Sequence, residues 1–121
     1  MSKRILVIED QEDNRRIMRD LLTSAGYEII EALTAEAGVA AAETHRPALI
    51  LMDIQLPDFD GYEATRRIKA NPALSAIPII AVTSYALSGD DVKAYEAGCD
   101  AYVSKPFSPR GLLAKIREFL P

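Results

Sequence analysis

The apolar pattern of this sequence alternates between short continuous runs and a helical repeat. That alternation restricts the fold more than any single residue does. RILVIE at 4–9 is a β-branched run of strand type. Residues 13–25 then carry Ile17, Met18, Leu21, Leu22 and Ala25 on one helical face, and Gly26 is placed to end that helix. A second strand at 28–32 leads to a helix that Thr34 can cap, running to about His45. A third strand spans 48–52. Asp60 and Glu63 have capping-box spacing and open a helix that stops near Asn71-Pro72. A fourth strand covers 77–82. Ser88, with Asp90 and Asp91 in the first turn, opens a helix ended by Gly98. The fifth strand is 101–104. Ser108 and Pro109 then form an N-cap and N1 pair before a helix with Leu112, Leu113, Ile116, Phe119 and Leu120 on one face.

Regular strand–helix alternation predicts an α/β protein with a parallel sheet and helices on both sides. Strands one, three and four are apolar on both faces and belong in the centre. Strand two is more polar and belongs at an edge. The expected strand order is therefore 2-1-3-4-5. The 121 residues suit one domain, 1–121, and no linker or low-complexity tract marks off an output domain.

Composition narrows the function. The net charge is −4, and lysine and arginine are scattered without a basic block, so nucleic-acid binding has no electrostatic footprint. No apolar run approaches the length of a membrane span, and the N-terminal run is too short for a signal-peptide core. The single Cys99 precludes an intrachain disulfide and fits a cytoplasmic protein. It is expected to pack between Gly98 and strand five.

In open parallel sheets, ligands gather at the C-terminal strand ends where the order switches. Strand one leads into Glu9 and Asp10, and strand three into Asp53. Strand four leads into Thr83 and Ser84, and strand five into Lys105-Pro106. Taken singly, the Glu9–Asp10 pair reads as a loop before a helix, Thr83 and Ser84 as turn hydroxyls, and Lys105 as a solvated lysine. Asp53 is harder to dismiss, because it closes the apolar run LILM, where an unpaired charge is costly. A structural pairing with Lys105 is its bland alternative. Three carboxylates would repel one another, and one lysine does not balance them. Oxygen-only ligands favour Mg²⁺, with Mn²⁺ as a substitute, and the absence of a Cys/His cluster argues against zinc.

These motifs resemble the receiver domain of bacterial two-component response regulators along essentially the whole chain. The resemblance rests on IEDQEDN with Glu9-Asp10, LMDIQLPDFDG with Asp53, AVTSYA with Thr83-Ser84, and YVSKPF with Tyr102 and Lys105-Pro106. The run TSYALSGDDVKAYEAGCDAYVSKPF is also similar to single-domain regulators of the DivK type and to receivers fused to hybrid histidine kinases. The resemblance implies the flavodoxin-like (βα)5 fold. It implies that Asp53 accepts a phosphoryl group from a phosphohistidine on a sensor kinase or a histidine phosphotransfer protein. Asp10, Asp53 and the backbone carbonyl of Gln55 would bind Mg²⁺, with Glu9 acting mostly through a metal-bound water. Lys105 and Thr83 would contact the phosphoryl oxygens, and small Ser84 would leave room beside them. The Lys105–Pro106 bond would be cis. Tyr102 would turn inward as Thr83 moves, changing the face formed by the fourth helix, fifth strand and fifth helix for a downstream protein partner.

The implied protein is a switch rather than a turnover enzyme, a monomer or weak homodimer that does not bind membrane or nucleic acid. Gln55 and Tyr85 would flank the phosphoryl group and give it a moderately long life. Three rivals remain. A Mg²⁺-dependent phosphohydrolase of the haloacid-dehalogenase type needs a second carboxylate where Gln55 stands. A flavodoxin-like FMN binder needs a Ser/Thr/Gly-rich loop where EDQEDN stands. A receiver fold can also serve as an interaction module without phosphorylation.

Overall fold

The computed structural model describes residues 3–83 and 90–120. Five strands alternate with five helices: β1 (Arg4–Ile8), α1 (Glu12–Ser24), β2 (Glu28–Ala32), α2 (Ala35–His45), β3 (Leu49–Asp53), α3 (Gly61–Ala70), β4 (Ile79–Thr83), α4 (Asp90–Ala97), β5 (Ala101–Ser104) and α5 (Pro109–Phe119). All neighbouring strands are parallel, in the order β2-β1-β3-β4-β5. Strand β2 is the polar edge, and the three central strands are buried almost throughout, as their composition requires.

Side chains alternate across a sheet with a period of two, so each strand feeds two cores. Ile5, Val7, Leu49, Leu51, Ile80 and Val82 pack with Met18, Leu22, Leu112 and Ile116 of α1 and α5. Leu6, Ile8, Ile50, Met52, Ile79 and Ala81 pack with Ala42, Ala64, Ile68 and Ala94 of α2, α3 and α4. The caps are local. Thr34 Oγ1 accepts from Ala37 N at 3.0 Å, and Ser108 Oγ accepts from Gly111 N at 2.9 Å. Asp60 Oδ1 accepts from Glu63 N at 2.9 Å, while the Glu63 carboxylate pairs with Arg66 and Arg67. Gly98 closes α4 at φ 111°, a backbone conformation suited to glycine. Ser88, expected to open α4, lies outside the described residues.

Two expectations need correction. Ile17 is 49% exposed, because the buried face of α1 runs through Arg15, Met18 and Leu22 instead. The strand ends also shift by one: Asp53 and Thr83 are the last residues of β3 and β4, paired in register with Val82 and Ser104, rather than the first residues beyond those strands. Among the described residues, no helix is long and apolar enough to cross a membrane.

Candidate functional site

Alternation along the strands positions the polar groups. Asp53 continues the side of the sheet occupied by Leu49 and Leu51. Glu9 continues the side of Ile5 and Val7, and Lys105 that of Ala101 and Val103. Three charged residues from three strands therefore meet over the α1/α5 face. Thr83 has the opposite parity and follows Ile79 and Ala81. Tyr102 is half-buried against that same α2/α3/α4 core, in register with Ala81.

Lys105 Nζ lies 3.2 Å from both Glu9 carboxylate oxygens and 3.5 Å from Asp53 Oδ1. Glu9 is fully buried and also accepts from Asn14 Nδ2 at 2.8 Å. The lysine is thus shared, with its shorter contacts to Glu9. Asp53 is 4% exposed, and its Oδ1 accepts from Gln55 N at 3.2 Å. Burial first, and then the adjoining Glu9 carboxylate, push the Asp53 carboxyl up from its ordinary 3.8 to about 7, against the opposing pull of Lys105 and the Gln55 N–H. Without another cation, proton and carboxylate forms of Asp53 coexist near neutrality.

Carboxylate oxygens of Glu9, Asp10 and Asp53 lie within 4.8 Å of one another. They adjoin a cleft of about 440 Å³ lined by Asp10, Gln11, Asn14, Asp53, Gln55 and Lys105. Ionised, these three acids and Lys105 leave two uncompensated negative charges. A hard divalent cation held by oxygens fits that donor set and that charge. The Lys105–Pro106 peptide is cis, and Lys105 N donates to Thr83 O at 2.7 Å, which ties the two strand ends together. Thr83 is fully buried. Ser84 and Tyr85 lie outside the described residues.

The structure brings together Glu9, Asp10, Asp53, Gln55 and Lys105, with Thr83 at the end of the adjoining strand. It adds two residues that the sequence reading did not single out. Asn14 donates to Glu9, and Arg15 donates to the backbone carbonyls of Glu9 and Asp10. An arginine in register with Met18 and Leu22 on the apolar face of α1 was the available signal.

The chain matches the response regulator receiver domain model over residues 5–117. It is 42% identical over 120 residues to the polar-differentiation response regulator DivK of Brucella anthropi, covering 99% of this chain and 98% of that one. The receiver domain of a sensor histidine kinase from Pseudomonas aeruginosa superimposes with a TM-score of 0.92 at 36% identity, covering 99% of this chain and 98% of that one. That structure holds a magnesium ion in its active-site cleft. A CheY-like receiver domain protein from Methanospirillum hungatei gives 0.88 at 39% identity, covering 98% and 93% respectively. Fold, strand order, acidic cleft and these similarities agree, and the chain belongs to the response regulator receiver family of two-component signalling.

Proposed function

We propose that the protein is a cytoplasmic phosphoacceptor switch in which Asp53 takes a phosphoryl group from a phosphohistidine of a sensor kinase or a histidine phosphotransfer protein. The observation that carries this reading is the buried Asp53 carboxylate at the end of a central strand, lining a cleft with Asp10, Gln55 and Lys105. A carboxylate oxygen of Asp53 attacks phosphorus, the P–O bond forms, and the P–N bond to the imidazole breaks, leaving that nitrogen to pick up a proton. Such a transfer needs alignment and neutralisation of the equatorial oxygens more than covalent help. Asp10, Asp53 and the Gln55 carbonyl would hold Mg²⁺, with Glu9 behind them, and the bound cation would supply part of that neutralisation. Lys105 is 3.5 Å from Asp53 and would move its charge onto the phosphoryl oxygens.

The response is a population shift, in which new bonds from Thr83 and Lys105 favour one of two conformations. Thr83 and Tyr102 share one side of the sheet, with α4 packed against β5. A change at Thr83 would therefore reach the α4-β5-α5 face, where Val92 and Tyr95 are half exposed for a protein partner. Gln55 and Tyr85 would set the lifetime, and the unit would act as a monomer or weak homodimer. Intact mass after incubation with acetyl phosphate and Mg²⁺ tests the reading. A single Mg²⁺-dependent phosphoryl adduct, absent from Asp53→Asn, is expected. No adduct with any small donor would favour an unphosphorylated interaction module.

A further inference from the structure

Arg15 is 7% exposed, on the core-facing side of α1. A buried guanidinium is tolerated only when its donors are used and its charge is balanced. Here both conditions are met in an informative way. Nη1 donates to the backbone carbonyls of Glu9 at 3.1 Å and Asp10 at 2.9 Å. Nη2 pairs with Glu12, and Nε lies 3.4 Å from Glu31 Oε1 on the edge strand β2. Glu31 is in turn held by Arg19 through bonds of 2.9 and 2.8 Å. One planar group thus ties the β1–α1 turn to both α1 and β2.

The two carbonyls that Arg15 grips belong to the two residues whose carboxylates gather within 4.8 Å of Asp53. We infer that Arg15 is a positioning residue for the divalent cation: it fixes the backbone of Glu9 and Asp10 so that their carboxylates gather beside Asp53 in one orientation. This inference rests on the metal-dependent reading above. A second force acts in the opposite sense, because a cation behind the site repels a cation within it. Glu12 and Glu31 largely cancel that charge, so orientation outweighs repulsion. Groups that orient metal ligands from behind typically change affinity by about 10- to 100-fold when removed.

Mg²⁺ titrations of the full chain, followed by amide NMR shifts around Asp10 and Gln55, would test this, with a thermal melt of each variant alongside. Arg15→Met is expected to bind Mg²⁺ about 10-fold or more weakly. Arg15→Lys keeps an ammonium for the carbonyls and gives up Glu12 and Glu31, so it should fall between Arg15→Met and wild type. Glu31→Gln keeps the guanidinium but weakens its anchor, and should bind several-fold more weakly while remaining folded. Wild-type affinity in both Arg15→Lys and Glu31→Gln overturns the inference, whether or not Arg15→Met folds. Tighter binding by Arg15→Met also overturns it, because repulsion would then be the larger effect. A wild-type protein that binds no Mg²⁺ removes the metal-dependent reading, and the inference falls with it.

Discussion

Replacing Asp53 by Asn is expected to stabilise the metal-free protein at neutral and alkaline pH, even though it removes the proposed phosphoacceptor. The carboxyl is pushed up from 3.8 to about 7 in the folded chain, mainly by burial and then by Glu9. The folded state therefore holds a proton over a range where the unfolded chain has lost it. Stability contributed by that proton is fully present below about pH 4 and declines as pH rises towards 7. At 1.36 kcal/mol per pKa unit, the ionised carboxylate costs at most about 4 kcal/mol above that range. An asparagine amide must also be desolvated, and Lys105 loses one of its two acidic partners, so about half of this should appear, roughly 2 kcal/mol. For a domain of this size that is a rise in Tm of roughly 8 °C. The assay is thermal unfolding in EDTA from pH 4 to pH 8.5, wild type beside Asp53→Asn. The two curves should nearly meet at pH 4, separate up to about pH 7, and then run parallel. Saturating Mg²⁺ should close the gap by stabilising wild type alone. A variant no more stable than wild type at pH 8 would refute the reasoning, since Asp53 would then not be a carboxylate under strain from burial.

Other substitutions probe the surroundings. Lys105→Met leaves the buried Glu9 without its cation and should cost about 3 kcal/mol in urea unfolding at pH 8; a loss below about 1 kcal/mol would mean that Asn14 alone satisfies Glu9. Gly61→Ala would place a Cβ 2.3 Å from the Asp53 carbonyl oxygen and 2.8 Å from Ile54 Cα. Both neighbours are backbone, so α3 must retreat from the acceptor strand, with an expected loss of about 2 kcal/mol by denaturant titration. The Cys99 thiol is buried and its pKa is raised, chiefly by burial. It should resist alkylation at pH 8 in the folded protein and react at once in denaturant; fast labelling of the native chain would contradict that packing.

Most of the fold was legible because apolar runs and helical repeats alternate without interruption, and because β2 reads as polar while β1, β3 and β4 do not. The misplacement on α1 has an identifiable cause. Ile17 was assigned to the core from hydrophobicity, yet the helix turns it outward and gives its place to Arg15, an assignment no hydrophobic pattern would make. Arg15 can occupy it because its donors are consumed by two carbonyls and two carboxylates drawn from the β1–α1 turn, α1 and β2. Such a network exists only after the strands have paired, so its members look unremarkable along the chain. The carboxylate of Asp58 is a similar case. It accepts from Ala35 N and Glu36 N at 2.9 Å, closing the start of α2 from the loop that follows Asp53.

The strand ends show why the site could nevertheless be read. A parallel sheet fixes which residues reach one edge, and period-two alternation fixes the face on which each one stands. Counting outward from Leu49 and Leu51 puts Asp53 on the α1/α5 side. The same count puts Glu9 and Lys105 there and sends Thr83 and Tyr102 to the other side. The charges that would bind and neutralise a phosphoryl group thus lie over one core, and the residues that would report its arrival lie over the other. Thr83 adjoins both, because its carbonyl accepts from Lys105 N at 2.7 Å while its side chain belongs to the opposite parity. On the proposed reading, a shift of that strand end would be felt on both sides. Coupling between the cleft and the α4 surface would then need no long pathway, only Thr83 and the neighbouring strand β5 on which α4 packs.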